Sequence, residues 1–291
     1  MRLNHNMTSL RIYSSYNDNL SSNSTALSRI SSGLKIQSAK DNPKKIAQAG
    51  NMEMQIKGLS MASRNAQDSI SMMQTFDGAM QEMNNSLNRM KELAVSAADG
   101  TKSEADRAAI QDEIEILKGN MRDLANNTEF NGIKIIGDEK VTNNDNPGER
   151  KSLIGAFAGE QVSVPTFNLN LNMLGIKQGD TITSSLADIN LTTADGANAS
   201  MEVIKQSTKI VADIRSKYGA ISSRFETAQD NIGVISGKVE NAQSDICDAD
   251  IATEALEMSR TDIILQSQIS LLAQTNKMPQ DALNILANSK R

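Results

Sequence analysis

The sequence predicts a mainly α-helical protein. Its N- and C-terminal arms are expected to form a long antiparallel coiled-coil helix bundle, with a β-hairpin and a small β-rich or irregular central insert. Aromatic residues make up only 3% of the chain, too few to fill large globular cores. Residues 132–196 hold eight of the 17 glycines, so helix breakers cluster in the middle. Apolar residues repeat at heptad spacing on both sides of that middle.

Each arm carries an apolar seam that needs a partner helix. In the first arm, apolar residues recur in alternating steps of three and four from Leu59 to Ala94. In the second arm, the same rhythm runs from Ile214 to Ile246. Each seam would be about 50 Å long as a helix, and two seams of similar length predict side-by-side packing. The seam residues on which this prediction depends are Met73, Met80, Leu87, Ile114, Leu117, Ile221, Ile232 and Val239.

Local signals predict where these helices begin and end. Pro43 keeps the residue before it out of helical geometry, so a helix boundary is expected there. Asp99-Gly100-Thr101 stops the first long helix. Ser103 and the acidic residues after it then start a short antiparallel return helix. Phe130-Asn131-Gly132-Ile133 predicts a hairpin turn, because Asn-Gly is the commonest tight-turn pair.

The predicted organisation has five segments. They are an N-terminal helix at 1–42, the N-terminal bundle with its hairpin at 43–136, the insert at 137–199, the C-terminal bundle helix at 200–246 and a C-terminal helix at 247–291. Both end helices carry apolar stripes in a polar background, so their stability must come from packing. We therefore predict ends that order fully only when copies assemble. The candidate assembly residues are Leu20, Leu27, Leu34, Ile263, Leu271, Leu272 and Leu286.

Composition argues against several classes of function. His5 is the only histidine, which excludes two-histidine metal motifs and leaves no plausible base for a catalytic triad. The net charge of −5 disfavours nucleic-acid binding, and no stretch reaches the ~20 apolar residues of a membrane span. We therefore expect no enzyme activity, no cofactor, no metal, and no nucleic-acid or membrane partner. The single cysteine, Cys247, is expected to pack as a small hydrophobe, the alternative being an intermolecular disulfide.

Several motifs occur in a fixed order at the two ends of the chain. They are Ser38-Ala39-Lys40-Asp41, Arg64-Asn65-Ala66-Gln67-Asp68, Phe130-Asn131-Gly132-Ile133-Lys134, Met258-Ser259-Arg260 and Leu272-Ala273-Gln274-Thr275-Asn276. This set resembles bacterial flagellins over about 1–140 and 200–291. The chain departs from that family at Asn42-Pro43, where Ala-Ala-Gly is common, and in having Cys247 and a short insert.

The resemblance implies a structural subunit that self-assembles into the helical filament of the bacterial flagellum for motility. The paired chain ends of flagellins line the inner tube, and the insert faces outward. The implied location is the extracellular filament, reached through the flagellar type III system without a cleaved signal peptide. The implied partners are further copies of the chain, an export chaperone, and cap and hook-associated proteins. The alternative is a hook–filament junction protein, which caps the filament instead of extending it.

The resemblance also implies contacts with the flagellin-sensing Toll-like receptor of a host. The matching positions are Arg89, Leu93 and Glu113. Without the resemblance, these residues are a solvated charge, a widened apolar stripe and a local ion pair. Serine and threonine in the insert have two interpretations, O-linked glycosylation or a simple solvated loop, and the second is favoured.

Overall fold

The computed structural model describes residues 6–138, 140–178 and 181–288, and in these ranges it contains five α-helices and two separate antiparallel strand pairs. The helices are α1 (Met7–Ser32), α2 (Pro43–Ala98), α3 (Glu104–Asn127), α4 (Ala194–Cys247) and α5 (Ile251–Asn288). The strands are β1 (Gly148–Leu153), β2 (Gln161–Thr166), β3 (Gly175–Gln178) and β4 (Thr181–Ser185). The predicted mainly helical class is confirmed.

The chain divides into two compact units. The terminal unit comprises Met1–Gln55 with Gly237–Arg291, and the central unit comprises Ile56–Ser236. The long helices α2 and α4 contribute residues to both units. The five segments expected from the sequence remain a prediction, and α4 begins at Ala194, inside the stretch that was assigned to the insert.

Helices α2 and α4 lie antiparallel in the central unit. Arg215 of α4 forms an ion pair with Asp77 of α2, with 2.6 Å between Nε and Oδ1. Further along the two helices, the side-chain amide of Gln229 on α4 donates to the side-chain oxygen of Gln67 on α2 at 3.0 Å. Positions that ascend along α2 therefore meet positions that descend along α4. This is the side-by-side arrangement that the two seams predict.

The seam residues mostly lie in the core of the central unit. Met73, Met80, Leu87 and Ile114 are buried in one large cluster, and Leu117 and Ile221 pack against it while partly exposed. Ile232 is buried in a smaller cluster with Leu59 and Ala62. Val239 differs, because it belongs to the terminal unit and is only half-buried.

A capping box begins helix α3, as the sequence indicates. The Asp106 backbone N–H donates to Ser103 Oγ at 3.2 Å, and the Ser103 N–H donates to Asp106 Oδ2 at 3.1 Å. The hydrogen bonds from the Ser103 hydroxyl and N–H lower the pKa of the Asp106 carboxyl. The pair satisfies N–H groups that have no partner inside the helix.

The turn at Asn131 and Gly132 forms, but the strand expected after it does not pair back on the preceding residues. Both turn residues have positive φ (50° and 73°), and Phe130 and Ile133 exchange two backbone hydrogen bonds. Pairing stops there because the chain up to Asn127 is helical. The Ile135 carbonyl instead accepts a hydrogen bond from the Phe167 N–H at 2.7 Å.

The insert holds both strand pairs and closes one side of the central core. Strands β1 and β2 pair from Gly148↔Thr166 to Leu153↔Gln161. The buried phenol of Tyr218 donates to the carbonyls of Ile135 at 3.2 Å and Pro165 at 3.0 Å, and so ties α4 to the insert. Burial raises the pKa of Tyr218, which keeps this donor protonated.

Candidate assembly surface

Helices α1 and α5 of the terminal unit pair antiparallel through polar side chains. The Asn23 amide of α1 donates to Thr261 Oγ1 at 2.9 Å and to Asp262 Oδ1 at 2.7 Å on α5. Further along, Arg29 forms an ion pair with Glu254, with 3.1 Å between Nη1 and Oε1. These contacts fix the register of the two helices, because each joins a particular residue of one to a particular residue of the other.

The same polar pairing continues at the far end of the two helices. The Asn6 amide donates to the Thr275 carbonyl at 2.9 Å, and the Ser9 hydroxyl donates to Asn276 Oδ1 at 3.0 Å. On α5 the inward positions recur every seven residues: they are Glu254, Thr261, Gln268 and Thr275. A polar stripe at heptad spacing therefore faces the partner helix.

Many large apolar side chains of the pair remain exposed, whereas others are half-buried: Ile12, Tyr16, Ile30, Met258, Ile264, Leu265 and Leu272. In α1 the exposed ones are Met7, Leu10, Tyr13, Leu20 and Leu27. In α5 they are Ile251, Leu256, Ile263, Ile269, Leu271, Met278 and Ile285. Among the described residues of the terminal unit, Ala26 is the one buried hydrophobic side chain. We call these exposed side chains, together with Leu34, the terminal apolar surface.

Five of the seven predicted assembly residues lie on this surface and are exposed. They are Leu20, Leu27, Leu34, Ile263 and Leu271. Leu272 is half-buried. Leu286 belongs to α5, but its side chain falls outside the described residues.

The sequence interpretation missed part of the surface on α5. Leu256, Ile263, Leu271, Met278 and Ile285 are all exposed, and their spacing of seven or eight residues keeps them on one side of the helix. This spacing is visible in the sequence and could have identified the stripe. The polar residues of α5 that face α1 also recur every seven residues, from Glu254 to Thr275. The period alone therefore could not tell which of the two stripes is buried.

Two backbone hydrogen bonds join the segment that follows α1 to the segment that links α4 to α5; we call this pair of bonds the clasp. Gly33 ends α1 with a positive φ of 71°. The Lys35 N–H donates to the Cys247 carbonyl at 2.7 Å, and the Ala249 N–H donates to the Gly33 carbonyl at 2.9 Å. Cys247 is free and half-buried, and it lines a groove of about 480 Å³ next to Leu34.

Two carboxyl groups stabilise the turns beside this clasp. Hydrogen bonds from the backbone N–H groups of Gln37 and Ser38 lower the pKa of Asp41. The Thr253 hydroxyl and then the Ala252 N–H lower the pKa of Asp250, at the start of α5. Both groups therefore act as turn and helix-start acceptors.

Arg89 and Glu113 form an exposed ion pair between α2 and α3 of the central unit. Their side chains are 52% and 43% exposed, and Arg89 Nη2 lies 2.8 Å from Glu113 Oε1. Arg89 also contacts Glu92, with 3.1 Å between Nη1 and Oε2. The hydrogen bond to Glu113, followed by that to Glu92, raises the pKa of Arg89. The guanidinium of Arg89 therefore lies between the carboxylates of Glu92 and Glu113.

Leu93 does not share that exposure. It is only 7% exposed and belongs to the main core cluster of the central unit. Leu93 faces the seam because it follows Met90 by three residues on α2, and its contact with a receptor stays a prediction.

The described part of the chain offers no group of three or more His, Cys, Asp or Glu side chains arranged to hold a metal ion. None of the helices in that part combines the length and apolarity that a bilayer crossing requires.

Comparison with known proteins identifies the family. The profile of the bacterial flagellin N-terminal helical region matches residues 3–140, and that of the C-terminal helical region matches residues 201–286. The chain is also 35% identical to the flagellin of Bacillus subtilis over 303 residues, covering 98% of this chain and 100% of that one. The chain belongs to the bacterial flagellin family.

Other flagellins and a flagellar filament protein match over their full length. The flagellin of Halalkalibacterium halodurans is 33% identical, with 98% of this chain and 100% of that protein covered. The flagellar filament 30.7 kDa core protein of Treponema maltophilum is 30% identical, with 99% and 100% covered. Flagellins are structural proteins that self-assemble into filaments, and membership in the family places this chain among them.

A solved structure shares the fold at much lower identity. It is assigned to a flagellar hook-associated protein from Vibrio parahaemolyticus, and it superposes with a TM-score of 0.57 over 72% of this chain and 100% of that chain. The two sequences are 14% identical, so the similarity concerns the fold alone.

Proposed function

We propose that this flagellin-family chain is the repeating subunit of an extracellular flagellar filament, and that the terminal apolar surface is where neighbouring copies pack. The observation that carries the proposal is the row of large apolar side chains that the pairing of α1 and α5 through polar contacts leaves exposed, among them Leu20, Leu27 and Ile263. Burial of apolar area drives association, and one copy cannot cover this surface by itself.

Energetics support assembly through this surface. Fully burying one large apolar side chain contributes roughly 1.5–3 kcal/mol. The surface contains many such side chains on two helices, so their burial by neighbouring copies favours association. The terminal unit has only Ala26 as a buried hydrophobic residue among those described, which makes its isolated stability low.

Truncation tests this proposal. Removing residues 1–35 or residues 255–291 is expected to leave a soluble helical monomer that no longer forms filaments, because either deletion removes one half of the surface. The central unit has its own buried core, so its thermal unfolding is expected to stay close to that of the full chain. Electron microscopy and light scattering at high protein concentration measure polymerisation, and circular dichroism measures folding.

A matched control changes an exposed pair far from the terminal apolar surface in sequence. Glu202→Ala with Lys205→Ala removes a surface ion pair of the central unit and is expected to leave filaments unchanged. Normal filaments from either truncation would contradict the proposal.

The same images separate the filament subunit from the hook–filament junction alternative. A filament subunit forms long polymers from purified protein, whereas a junction protein forms short caps or stays monomeric. The identity of about one-third to whole flagellins supports the filament subunit, because those matches cover both chains almost completely. A motility assay in a strain that lacks its own flagellin then tests thrust directly.

We further propose that Arg89 and Glu113 contact the flagellin-sensing Toll-like receptor. The supporting observation is their exposed, preorganised ion pair, which offers both signs of charge without ordering new side chains. Leu93, four residues after Arg89 on α2, is the third residue of the proposed contact.

Alanine variants test this second proposal. Arg89→Ala and Glu113→Ala are each expected to weaken binding of the monomer to the receptor ectodomain by about tenfold, the loss typical of an important interface residue. Binding kinetics on immobilised ectodomain provide the measurement. Leu93 is left unchanged, because its truncation would disturb the core. The Glu202→Ala, Lys205→Ala variant is the control, and equal affinities for all variants would refute the contact.

A further inference from the structure

The methionines of the described residues range from fully buried to exposed. Met72, Met73, Met80, Met83, Met90 and Met121 are buried in the central unit. Four others are exposed, and they are Met7, Met54, Met61 and Met278. A thioether reacts with peroxide according to its exposure, so these four are the reactive ones among the described residues.

Two of the exposed methionines lie on the terminal apolar surface. Met278 is 62% exposed and follows Leu271 by seven residues, which places it in the outward stripe of α5. Met7 is 60% exposed at the start of α1, three residues before the exposed Leu10. Both occur at the same end of the helix pair, because Asn6 bonds to Thr275 and Ser9 bonds to Asn276.

We propose that Met7 and Met278 form an oxidation-sensitive site that blocks addition of the subunit to a filament. The inference rests on the proposed assembly role of the terminal apolar surface. The oxidant is a peroxide: it transfers one oxygen atom to the thioether sulfur and is itself reduced to water or an alcohol. The sulfur loses two electrons, and methionine becomes methionine sulfoxide.

The chemical change opposes assembly for a simple reason. Thioether sulfur packs among leucine and isoleucine side chains as an apolar group. A sulfoxide oxygen is a strong acceptor, and burial against a neighbouring apolar surface leaves it without a donor. Folding of the monomer is little affected, because both side chains are already solvated. Oxidation therefore acts on addition of the subunit and leaves its own fold intact.

Assembly should in turn protect the site. In a filament, Met7 and Met278 are covered by neighbouring copies, so peroxide reaches them slowly. In free subunits they react at the rate of exposed methionine. Reduction by methionine sulfoxide reductases restores the thioether, which makes the effect reversible. Intact subunits are therefore added to a filament more readily than oxidised ones.

Peroxide treatment of full-length monomer tests the proposal. Treated protein is expected to need at least about a tenfold higher concentration to polymerise, because burying even one of the two unpaired sulfoxide oxygens has an effect of that size. Peptide mass spectrometry should find added oxygen at Met7 and Met278, and circular dichroism should remain unchanged. Oxidation of preformed filaments should give less sulfoxide at these two positions than oxidation of monomers.

Two double variants assign the effect. Met7→Leu with Met278→Leu should polymerise normally after peroxide, whereas Met54→Leu with Met61→Leu should remain as sensitive as the unchanged chain. A Met7→Gln, Met278→Gln variant should assemble poorly without any oxidant. Equal polymerisation of treated and untreated protein would overturn the inference, as would sensitivity of the Met7→Leu, Met278→Leu variant. Failure of the untreated chain to polymerise would instead overturn the proposed assembly function.

Discussion

Replacing Leu256, Ile263 and Leu271 together by serine is expected to raise the lowest protein concentration that supports filaments by at least about a hundredfold. All three side chains are exposed on the outward side of α5. Transfer of a whole side chain of this size is worth roughly 1.5–3 kcal/mol, and 73%, 65% and 48% of these three are still exposed in the monomer, so together they supply the ~2.7 kcal/mol that a hundredfold change requires. Sedimentation of polymer over a concentration series gives the value.

The fold of this variant should survive, because none of the three side chains is buried in the monomer. A matched control replaces exposed polar residues of the same helix, with Ser259→Ala, Gln266→Ala and Ser270→Ala. Alanine favours helix, so the control keeps or improves the stability of α5 and leaves the terminal apolar surface intact. A critical concentration that is unchanged in the serine variant would show that copies pack through another surface.

Phe76→Ala is expected to lower the free energy of unfolding of the central unit by about 3–5 kcal/mol. Phe76 is fully buried in the cluster that contains Tyr218 and Phe225, so its removal leaves a cavity between the long helices. A typical domain has only about 5–15 kcal/mol of stability, which makes this a large fraction. Urea unfolding followed by circular dichroism provides the measurement.

Val95→Ala is the control for this second prediction. Val95 is exposed on the same helix, and its truncation should change stability by no more than about 0.5 kcal/mol. If Phe76→Ala cost less than about 1 kcal/mol, the packing of α2 against α4 would not be the main support of the central unit.

The heptad seams predicted the central unit well. Met73, Met80 and Leu87 lie in the main core, because a long apolar stripe on a helix can be covered only by another helix of similar length. Val239 was also predicted as a seam residue, but it is only half-buried and belongs to the terminal unit. Leu93 had two interpretations, a widened apolar stripe or a receptor contact, and its burial fits the first; the angular width of the covered face depends on what packs there.

The short-range signals at turns and caps were also reliable where the interaction is local. Ser103 and Asp106 satisfy each other's backbone within four residues, so no distant contact is needed. Asn131 and Gly132 adopt positive φ for the same reason. The strand that follows them was less predictable, because Ile135 finds its hydrogen-bond partner at Phe167, far along the chain.

By itself, the amino-acid sequence determined that the chain is helical, where α2 and α3 begin, and that its ends carry both polar and apolar heptad stripes. Only the tertiary structure decided which stripe of α1 and α5 is buried. Asn23, Arg29 and Thr261 lie between the two helices, because they have hydrogen-bond and ionic partners on the opposite helix. Leu20, Leu27 and Ile263 are left exposed. Periodicity cannot predict that choice, because the buried and the exposed stripe repeat with the same period and differ only in the partner that meets them.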